Sequence, residues 1–268
     1  MLNYRTLKDY SEFWSVADAL ADAARVETLA HFRAAGLTAE SKRSDFDPVT
    51  IADRASEAAM RRLLADRRPE DGILGEEEAP VSGTSGLTWV LDPIDGTRGF
   101  ISGTPTWGVL IALADESGPI LGVVDQPYIG ERFYGGPGRA EFNGPLGTRE
   151  LAVRPTTALS EATLFTTFPE VGTREEGAAF KRVADKVQLT RYGCDCYAYA
   201  LLAAGQVDLV IEAGLSSYDI QAPIAVIEAA GGIVTNWEGG VAHDGGRALA
   251  AATPELHDAA LSLLSASA

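Results

Sequence analysis

Cysteine and histidine are scarce in this sequence, and their scarcity argues against a zinc site. The chain has two cysteines, Cys194 and Cys196 in the stretch GCDCY, and its three histidines are scattered. A C-x-C pair without further cysteines or a histidine cluster is a poor zinc site. We interpret both cysteines as small packing residues, with a redox role as the weaker alternative.

Long apolar runs are missing as well, and the sequence begins without the pattern of a secretory signal. No run approaches the ~20 apolar residues of a membrane-spanning helix. The N-terminal stretch MLNYRTLKDYSEFW lacks the charged-then-apolar layout of a signal peptide. The sequence therefore predicts a cytoplasmic protein that makes no membrane contact.

Positive charge is greatly outweighed by negative charge. Lys and Arg number 22 against 38 Asp and Glu, which gives a formal net charge of −16. Such a chain repels nucleic-acid backbones, so we expect no nucleic-acid partner. Neither a G-x-G-x-x-G dinucleotide signature nor a P-loop is present. Excess acid is usually a solvated surface, although it also suits a cationic substrate.

The spacing of apolar residues divides the 268 residues into two parts. Residues 1–146 predict helices at 11–35 and 51–66, followed by short β-rich runs punctuated by Gly and Pro, as in a multi-stranded sheet. In residues 147–268 the strand-like and helix-like segments alternate, which is typical of an α/β arrangement. We therefore expect an N-terminal α+β subdomain and a C-terminal α/β subdomain that pack tightly together.

Two carboxylates close an apolar strand in the stretch WVLDPIDGTRGF, residues 89–100. Asp92 and Asp95 follow three apolar residues, in a setting where ionised side chains are costly to bury. The next residues, DGT, predict a turn, because Gly96 adopts backbone conformations that other residues resist. Taken alone, this motif is explained equally well by a capped strand end and an ordinary turn.

Further acidic residues follow or precede predicted elements elsewhere in the chain. Glu76 lies in ILGEEE, Asp219 in SSYDIQAP, and Asp47 and Asp53 in DPVTIAD. Each is individually explained as a helix cap or a solvated turn. If they converged, carboxylates about 4 Å apart would repel by roughly 4 kcal/mol at an effective dielectric constant near 20. Divalent cations with oxygen ligands remove that repulsion, and Mg²⁺ is the usual choice beside phosphate.

Over nearly its whole length the chain resembles the inositol monophosphatase-like, Mg²⁺-dependent and lithium-sensitive phosphatases. The resemblance rests on Lys42 with DPVTIAD, on GEEE, on WVLDPIDGTRGF, on GCDCYAYALLAAGQVDLVIEAG and on YDIQAPIAVIEAAGGIV. DPIDGT followed at long range by YD-I-x-A is a specific combination. The resemblance implies a layered αβαβα sandwich of the inositol monophosphatase and fructose-1,6-bisphosphatase type, and a homodimer.

A metal site and its ligands are implied by the same resemblance. It would hold two or three Mg²⁺ ions, with Mn²⁺ able to substitute and Li⁺ inhibitory. Asp53 and Thr97 would align the attacking water, and Glu76 would take part in catalysis because a third ion binds near it. The implied metal ligands are Glu76, Asp92, the Ile94 carbonyl, Asp95 and Asp219.

These residues favour hydrolysis by direct attack of water. Two metal ions can stabilise the attacking and leaving oxygens and lower the pKa of water. Thr97 would pass the proton of this water to Asp53 as general base. If a helix begins at Gly96 and Thr97, its free backbone N–H groups would hold the phosphate.

A rival chemistry uses a covalent aspartate. Haloacid-dehalogenase-type phosphatases end a strand in D-x-D-G-T, in which the first Asp is the nucleophile. Here Asp92 and Asp95 are three positions apart, which breaks the i, i+2 same-face rule of an extended strand. We therefore expect no aspartyl-phosphate.

Two further carboxylates bear on the choice of substrate. Asp195 stands where related inositol phosphatases usually carry a small neutral residue, and Glu212 is expected on the leaving-group side. They are otherwise explained as a helix N-cap and a rim carboxylate. Beside a metal cluster they favour a cation such as L-histidinol phosphate, whose ammonium and imidazole donate charge-assisted hydrogen bonds. The predicted substrate-binding residues are Asp95, Gly96, Thr97, Asp195, Glu212 and Asp219.

We therefore predict a histidinol-phosphatase of histidine biosynthesis. The alternatives are an inositol-1-monophosphatase or a broad sugar-phosphate phosphatase, and, with less support, a metal-stabilised binding module. The sequence does not decide the roles of three residues. Tyr218 replaces a Trp that many relatives carry, Arg98 would reach either substrate or an acid, and Lys42 would contact either bound water or solvent.

Overall fold

The structure is a computed structural model that describes residues 9–41 and 48–266. Lys42 and Asp47 lie outside the described residues, so their predicted roles stay predictions. The described part of the chain contains two large sheets and a two-stranded pair. The helices are α1 Ser11–His31, α2 Ile51–Arg67, α3 Thr97–Ser102, α4 Arg174–Ala184, α5 Cys196–Ala203, α6 Ser217–Ala229 and α7 Pro254–Ser265.

The first sheet has seven strands in chain order. Only its first pair, β3 with β4, is parallel, and the others are antiparallel. A small pair, β1 Glu40–Ser41 and β2 Pro48–Val49, precedes it. The strands are β3 Gly72–Gly75, β4 Thr88–Asp95, β5 Gly108–Asp115, β6 Gly118–Gln126, β7 Glu131–Gly136, β8 Arg139–Gly144 and β9 Gly147–Glu150. The predicted division after residue 146 falls in the turn between β8 and β9, and it stays a prediction.

The second sheet has five strands in the order β11-β10-β12-β14-β13. β10 runs parallel to both of its neighbours, whereas β14 is antiparallel to β12 and β13. Helices alternate with these strands along the chain, as the sequence predicts. The strands are β10 Thr163–Thr166, β11 Leu189–Tyr192, β12 Leu209–Leu215, β13 Ile233–Thr235 and β14 Gly246–Ala251.

Five layers result from the way these elements bury their apolar faces. Alternating residues of β4 point to opposite sides of the first sheet: Trp89 and Leu91 pack under α1 and α2, and Val90 packs toward α5 and α6. The other side of α5 and α6 meets the second sheet, whose outer face is covered by α4 and α7. The order helix–sheet–helix–sheet–helix confirms the predicted αβαβα sandwich.

The first helix ends earlier than its apolar spacing predicts. α1 stops at His31 rather than at residue 35, because Phe32 leaves the helix in an extended conformation. Its ring packs 5.3 Å from that of Phe100 and 5.2 Å from that of Trp107, measured between centroids. Burial of this aromatic side chain outweighs one further helical turn.

None of the described helices is both long and apolar enough to cross a bilayer.

Candidate active site

Three aspartates from distant parts of the chain meet at one end of the first sheet. Asp92 and Asp95 lie at the carboxyl end of β4, and Asp219 lies in the first turn of α6. One carboxylate oxygen of each lies within 4.8 Å of the others. Asp92 is buried, with 1% of its surface exposed. This cluster is a candidate cation site built from hard oxygen donors.

A bulge at the end of β4 brings two of these aspartates to the same place. Asp92 pairs with Leu110 and Asp95 with Gly108, so one strand has an extra residue between the two pairs. The backbone N–H of Ile94 donates to Asp92 Oδ1 across 3.0 Å, while the Ile94 side chain is fully buried. The bulge thus gives the two carboxylates a common direction that a regular strand would not allow at this spacing.

The acids raise one another's pKa. Burial raises the pKa of Asp92 well above its usual value, and the charges of Glu76, Asp95 and Asp219 raise it further. Burial and the charges of Asp195 and Asp219 also raise the pKa of Asp95. Hydrogen bonding with Cys196 lowers that pKa, but by less. Each carboxylate therefore resists ionisation in the presence of the others, and a divalent cation among them would relieve this repulsion.

Glu76 joins the cluster from the neighbouring strand. It follows the last residue of β3, which is parallel to β4, so both strands end at the same edge of the sheet. A hydrogen bond between the Glu76 and Asp92 side chains contributes to the raised pKa of Asp92. The structure therefore brings together the four acids that the resemblance implies as metal ligands.

Thr97 and Asp53 lie side by side next to this cluster. Thr97 Oγ1 is 3.1 Å from the Ile94 carbonyl oxygen and 3.4 Å from Asp53 Oδ1. The other oxygen of Asp53 accepts hydrogen bonds from the Thr50 backbone N–H, at 2.8 Å, and from the Thr50 hydroxyl, at 2.6 Å. Asp53 is fully buried, so its carboxylate is fixed with one oxygen directed at Thr97.

A cavity of about 190 Å³ adjoins the aspartate cluster. It lies where the second sheet and α5 face the end of β4, and both Asp195 and Glu212 line it. Among its walls are Asp95, Phe168, Asp195, Tyr199, Glu212 and Asp219. Asp95, Asp195 and Asp219 thus border the same cavity as Glu212.

Asp195 enters the cavity through an unusual backbone conformation. Cys194 and Asp195 both have positive φ, at 86° and 45°, and Asp195 precedes α5 without capping it through its side chain. Its carboxyl group lies against Gly96, where an added Cβ would come within 2.8 Å of Asp195 Cγ. Burial raises its pKa to about 6, although the Arg98 charge lowers it. Asp195 does occupy the N-cap position of α5, as the N-cap alternative predicts, but its side chain makes no capping hydrogen bond.

Glu212 faces the same cavity from β12. Its Oε1 accepts from the backbone N–H of Thr167 at 2.9 Å and from the Thr167 hydroxyl at 2.8 Å. Burial raises its pKa to about 7 against these two hydrogen bonds, which lower it. With 8% of its surface exposed, Glu212 is not a rim carboxylate.

The structure adds detail on Arg98, whose role the sequence left open, and on Phe168 and Tyr199, for which it predicted no role. The Arg98 guanidinium lies over the Phe168 ring, 5.0 Å from its centroid, so Arg98 contacts an aromatic wall and also faces Asp195. The Tyr199 hydroxyl is buried, and no described residue hydrogen-bonds to it. The sequence did carry a signal that Tyr199 lies near Asp195: the two are four residues apart, and such residues share a helix face.

The cysteine pair is split between two environments. Cys196 is buried in the core between the sheets, and burial raises the pKa of its thiol. Cys194 is half-buried, and both are free thiols. The packing interpretation fits Cys196.

Comparison with known proteins gives a consistent picture. The sequence profile of the inositol monophosphatase family matches residues 9–268. The chain is 44% identical to the chloroplastic bifunctional phosphatase IMPL2 of Arabidopsis thaliana over 86% of its own length and 66% of the relative. It is 37% identical to the histidinol-phosphatase of Mycobacterium tuberculosis over 94% of its length and 97% of the relative.

Solved structures show the same fold. An inositol monophosphatase from Zymomonas mobilis superimposes with a TM-score of 0.85 at 37% identity, covering 97% of this chain and all of the other. An inositol monophosphatase from Anabaena gives a TM-score of 0.77 at 28% identity over 94% of each chain. The chain therefore belongs to the inositol monophosphatase family and is a phosphatase that acts on small phosphorylated substrates.

Proposed function

We propose that this phosphatase hydrolyses L-histidinol phosphate to L-histidinol and phosphate, in histidine biosynthesis. The observation that carries the proposal is a pair of carboxylates, the half-buried Asp195 and the buried Glu212, in the cavity beside the aspartate cluster. Relatives named histidinol-phosphatase in Mycobacterium tuberculosis and Streptomyces coelicolor, each 37% identical, support it.

The acid cluster would hold two or three Mg²⁺ ions. Mn²⁺ would substitute for them, and Li⁺ would inhibit the enzyme. Bound there, such ions make water more acidic and offset charge on the attacking and leaving oxygens. Mutual elevation of the pKa of Asp92 and Asp95 supports a cation at this position. The proposed ligands are Glu76, Asp92, the Ile94 carbonyl, Asp95 and Asp219.

Asp53 and Thr97 would orient the attacking water and take its proton. Thr50 donates to one oxygen of Asp53, and the Thr97 hydroxyl lies 3.4 Å from the other. Thr97 Oγ1 would accept a proton from the water while its own hydroxyl proton passes to Asp53 Oδ1. Backbone N–H groups at Gly96 and Thr97, where α3 begins, would hold the phosphate.

Asp195 and Glu212 would bind the leaving group. The L-histidinol moiety carries an ammonium group and an imidazole, each able to donate a charge-assisted hydrogen bond to a carboxylate. Burial makes both carboxylates costly to ionise alone, and a bound cation compensates for that cost. A neutral polyol would gain only ordinary hydrogen bonds there.

A second candidate is inositol-1-monophosphatase activity. It is favoured by a relative of that name in Caulobacter vibrioides, 35% identical over 84% of this chain. Inositol hydroxyls would also donate hydrogen bonds to Asp195 and Glu212, but these are not charge-assisted, so removal of either carboxylate charge separates the two candidates.

A substrate panel tests the proposal. Phosphate release from L-histidinol phosphate, inositol 1-phosphate and a sugar phosphate is measured with Mg²⁺, and kcat/KM is compared. We expect L-histidinol phosphate to be preferred by at least tenfold. Equal or greater kcat/KM for inositol 1-phosphate would replace the proposal by the second candidate. A cytoplasmic location and a homodimer stay predictions, and light scattering of the purified protein tests the latter.

A further inference from the structure

Glu57 is a fully buried carboxylate on α2, one helical turn after Asp53. Residues four apart lie on the same face of a helix, so α2 presents both acids toward the end of the first sheet. Burying a charged side chain away from water is costly unless the charge is paired and hydrogen-bonded. The hydrogen-bond partners of Glu57 therefore indicate its structural role.

The partners of Glu57 are the residues directly after Glu76. Its Oε2 accepts from the backbone N–H of Glu77 at 2.8 Å, and its Oε1 accepts from that of Glu78 at 3.0 Å. Arg61 completes the arrangement. It donates through Nε to Glu57 Oε1 at 2.8 Å and through Nη2 to the Glu78 carbonyl at 2.9 Å. Both oxygens of Glu57 thus bind one short backbone segment.

The residue before Glu76 is shaped by the same contact. A Cβ placed on Gly75 would lie 2.2 Å from Glu57 Oε1, so only glycine lets the carboxylate come this close. The side chain of Glu57 therefore touches the backbone on both sides of Glu76, at Gly75 before it and at Glu77 after it.

We propose that Glu57 is a positioning residue, which fixes the backbone around Glu76 so that the Glu76 carboxylate is held against Asp92. Its effect is on divalent-cation affinity and not on the chemistry of bond cleavage. The inference rests on the proposed function only in taking Glu76 as a metal ligand. Side chains that orient metal ligands typically contribute about 10- to 100-fold in metal affinity.

The principal variant is Glu57→Gln, which keeps the shape and removes the charge. Its amide NH₂ would face backbone N–H donors or Arg61, so at least one hydrogen bond is lost. Gly75→Ala is the second variant, because it displaces the carboxylate while leaving its charge in place. Asp208→Asn is the matched control. Asp208 is also fully buried, accepts from the Thr163 backbone N–H at 2.8 Å and pairs with Arg154, but it lies just before β12 and does not line the cavity.

Two measurements on the substrate-free protein are made first. Amide hydrogen exchange at Glu77 and Glu78 reports on their hydrogen bonds to Glu57. Mn²⁺ titration followed by electron paramagnetic resonance reports cation affinity. We expect both Glu57→Gln and Gly75→Ala to speed exchange at these two amides and to weaken Mn²⁺ binding about tenfold or more. Asp208→Asn should change neither, although it lowers thermal stability.

Steady-state kinetics then separate positioning from chemistry. In Glu57→Gln the Mg²⁺ concentration for half-maximal activity rises about tenfold, while kcat and KM at saturating Mg²⁺ stay near those of the unaltered protein. Unchanged exchange at Glu77 and Glu78, or Mn²⁺ affinity that falls equally in Asp208→Asn, overturns the inference. Because exchange and Mn²⁺ binding need no substrate, they stand even if L-histidinol phosphate proves not to be hydrolysed.

Discussion

The backbone N–H of Cys196 donates to Asp95 Oδ2 across 2.5 Å, joining segments 101 residues apart in the chain. This hydrogen bond fixes α5 against the end of β4, and it places Asp195, the residue before Cys196, beside the aspartate cluster. This contact therefore ties the aspartate cluster to the wall of the adjoining cavity. The Asp195 carboxylate itself takes no part in this hydrogen bond, because the backbone N–H of Cys196 makes it.

Removing the charge of Asp195 or Glu212 is expected to change substrate preference. Asp195→Asn and Glu212→Gln should lower kcat/KM for L-histidinol phosphate by about 10- to 100-fold each, because a charge-assisted hydrogen bond contributes about 1.5–3 kcal/mol. Inositol 1-phosphate, which has no cation to lose, should be affected less. Steady-state assays of the two substrates with each variant measure the difference.

Glu255→Gln is the control for these variants, because Glu255 is an exposed carboxylate at the start of α7. It should leave kcat/KM for both substrates unchanged. If Asp195→Asn leaves turnover of L-histidinol phosphate unaltered, or weakens both substrates equally, the cation-binding role of Asp195 is wrong.

Removing the Thr97 hydroxyl is expected to slow the chemical step. Thr97→Val preserves shape but breaks the link between the attacking water and Asp53, so kcat should fall about 10²- to 10⁴-fold with little change in KM. Thr104→Val is matched to it, since Thr104 also donates to a backbone carbonyl near α3, that of Gly99 at 3.0 Å, but lies outside the cluster. A normal kcat in Thr97→Val would remove Thr97 from the proposed proton path.

Local patterns predicted most of the fold, and they failed where strands are exposed. Short β-rich runs bounded by Gly and Pro indicated the central strands, and the structure gives these strands residues in both cores. The sequence patterns predicted no strand at β8, β9 or β11. The last two are short sheet edges: all four residues of β9 are exposed, and three of the four in β11. Such strands owe their conformation to pairing with a neighbour, not to a buried face.

The acids of the site were predictable as candidates, but not their convergence. Asp219 begins a helix 124 positions after Asp95, and only the family resemblance implied that the two would meet. The direction of Asp195 depends on two residues with positive φ, Cys194 and Asp195 itself. Neither is a glycine, so the sequence carried no signal for this conformation.

The metal-free protein is expected to lose stability as pH rises from about 4 to above 7. Burial raises the pKa of Glu212 to about 7, so the folded state binds this proton more tightly than the unfolded state. Its contribution is fully present below the unfolded pKa near 4.5 and is lost as pH rises through the folded value. The cost at pH 8 is on the order of 3 kcal/mol for this group.

Urea unfolding at several pH values, with a chelator present, compares Glu212→Gln with the unaltered protein. The variant should be less sensitive to pH between about 5 and 8, because its amide does not titrate. Saturating Mg²⁺ should stabilise both proteins most at high pH, where the neighbouring acids are ionised. Identical pH profiles for variant and unaltered protein would contradict the raised pKa of Glu212.

Loss of the Tyr199 hydroxyl is expected to affect stability and ligand binding in opposite directions. This buried hydroxyl has no hydrogen-bond partner among the described residues, so Tyr199→Phe should leave thermal stability unchanged or raise it. In Tyr134→Phe, by contrast, a 2.6 Å hydrogen bond to Asp18 is removed, and stability should fall by about 1 kcal/mol. If the Tyr199 hydroxyl hydrogen-bonds to the leaving group of the bound substrate, Tyr199→Phe removes that hydrogen bond and also raises KM for L-histidinol phosphate several-fold. A stability loss in Tyr199→Phe as large as that in Tyr134→Phe, with unchanged KM, would show that the hydroxyl serves the fold instead.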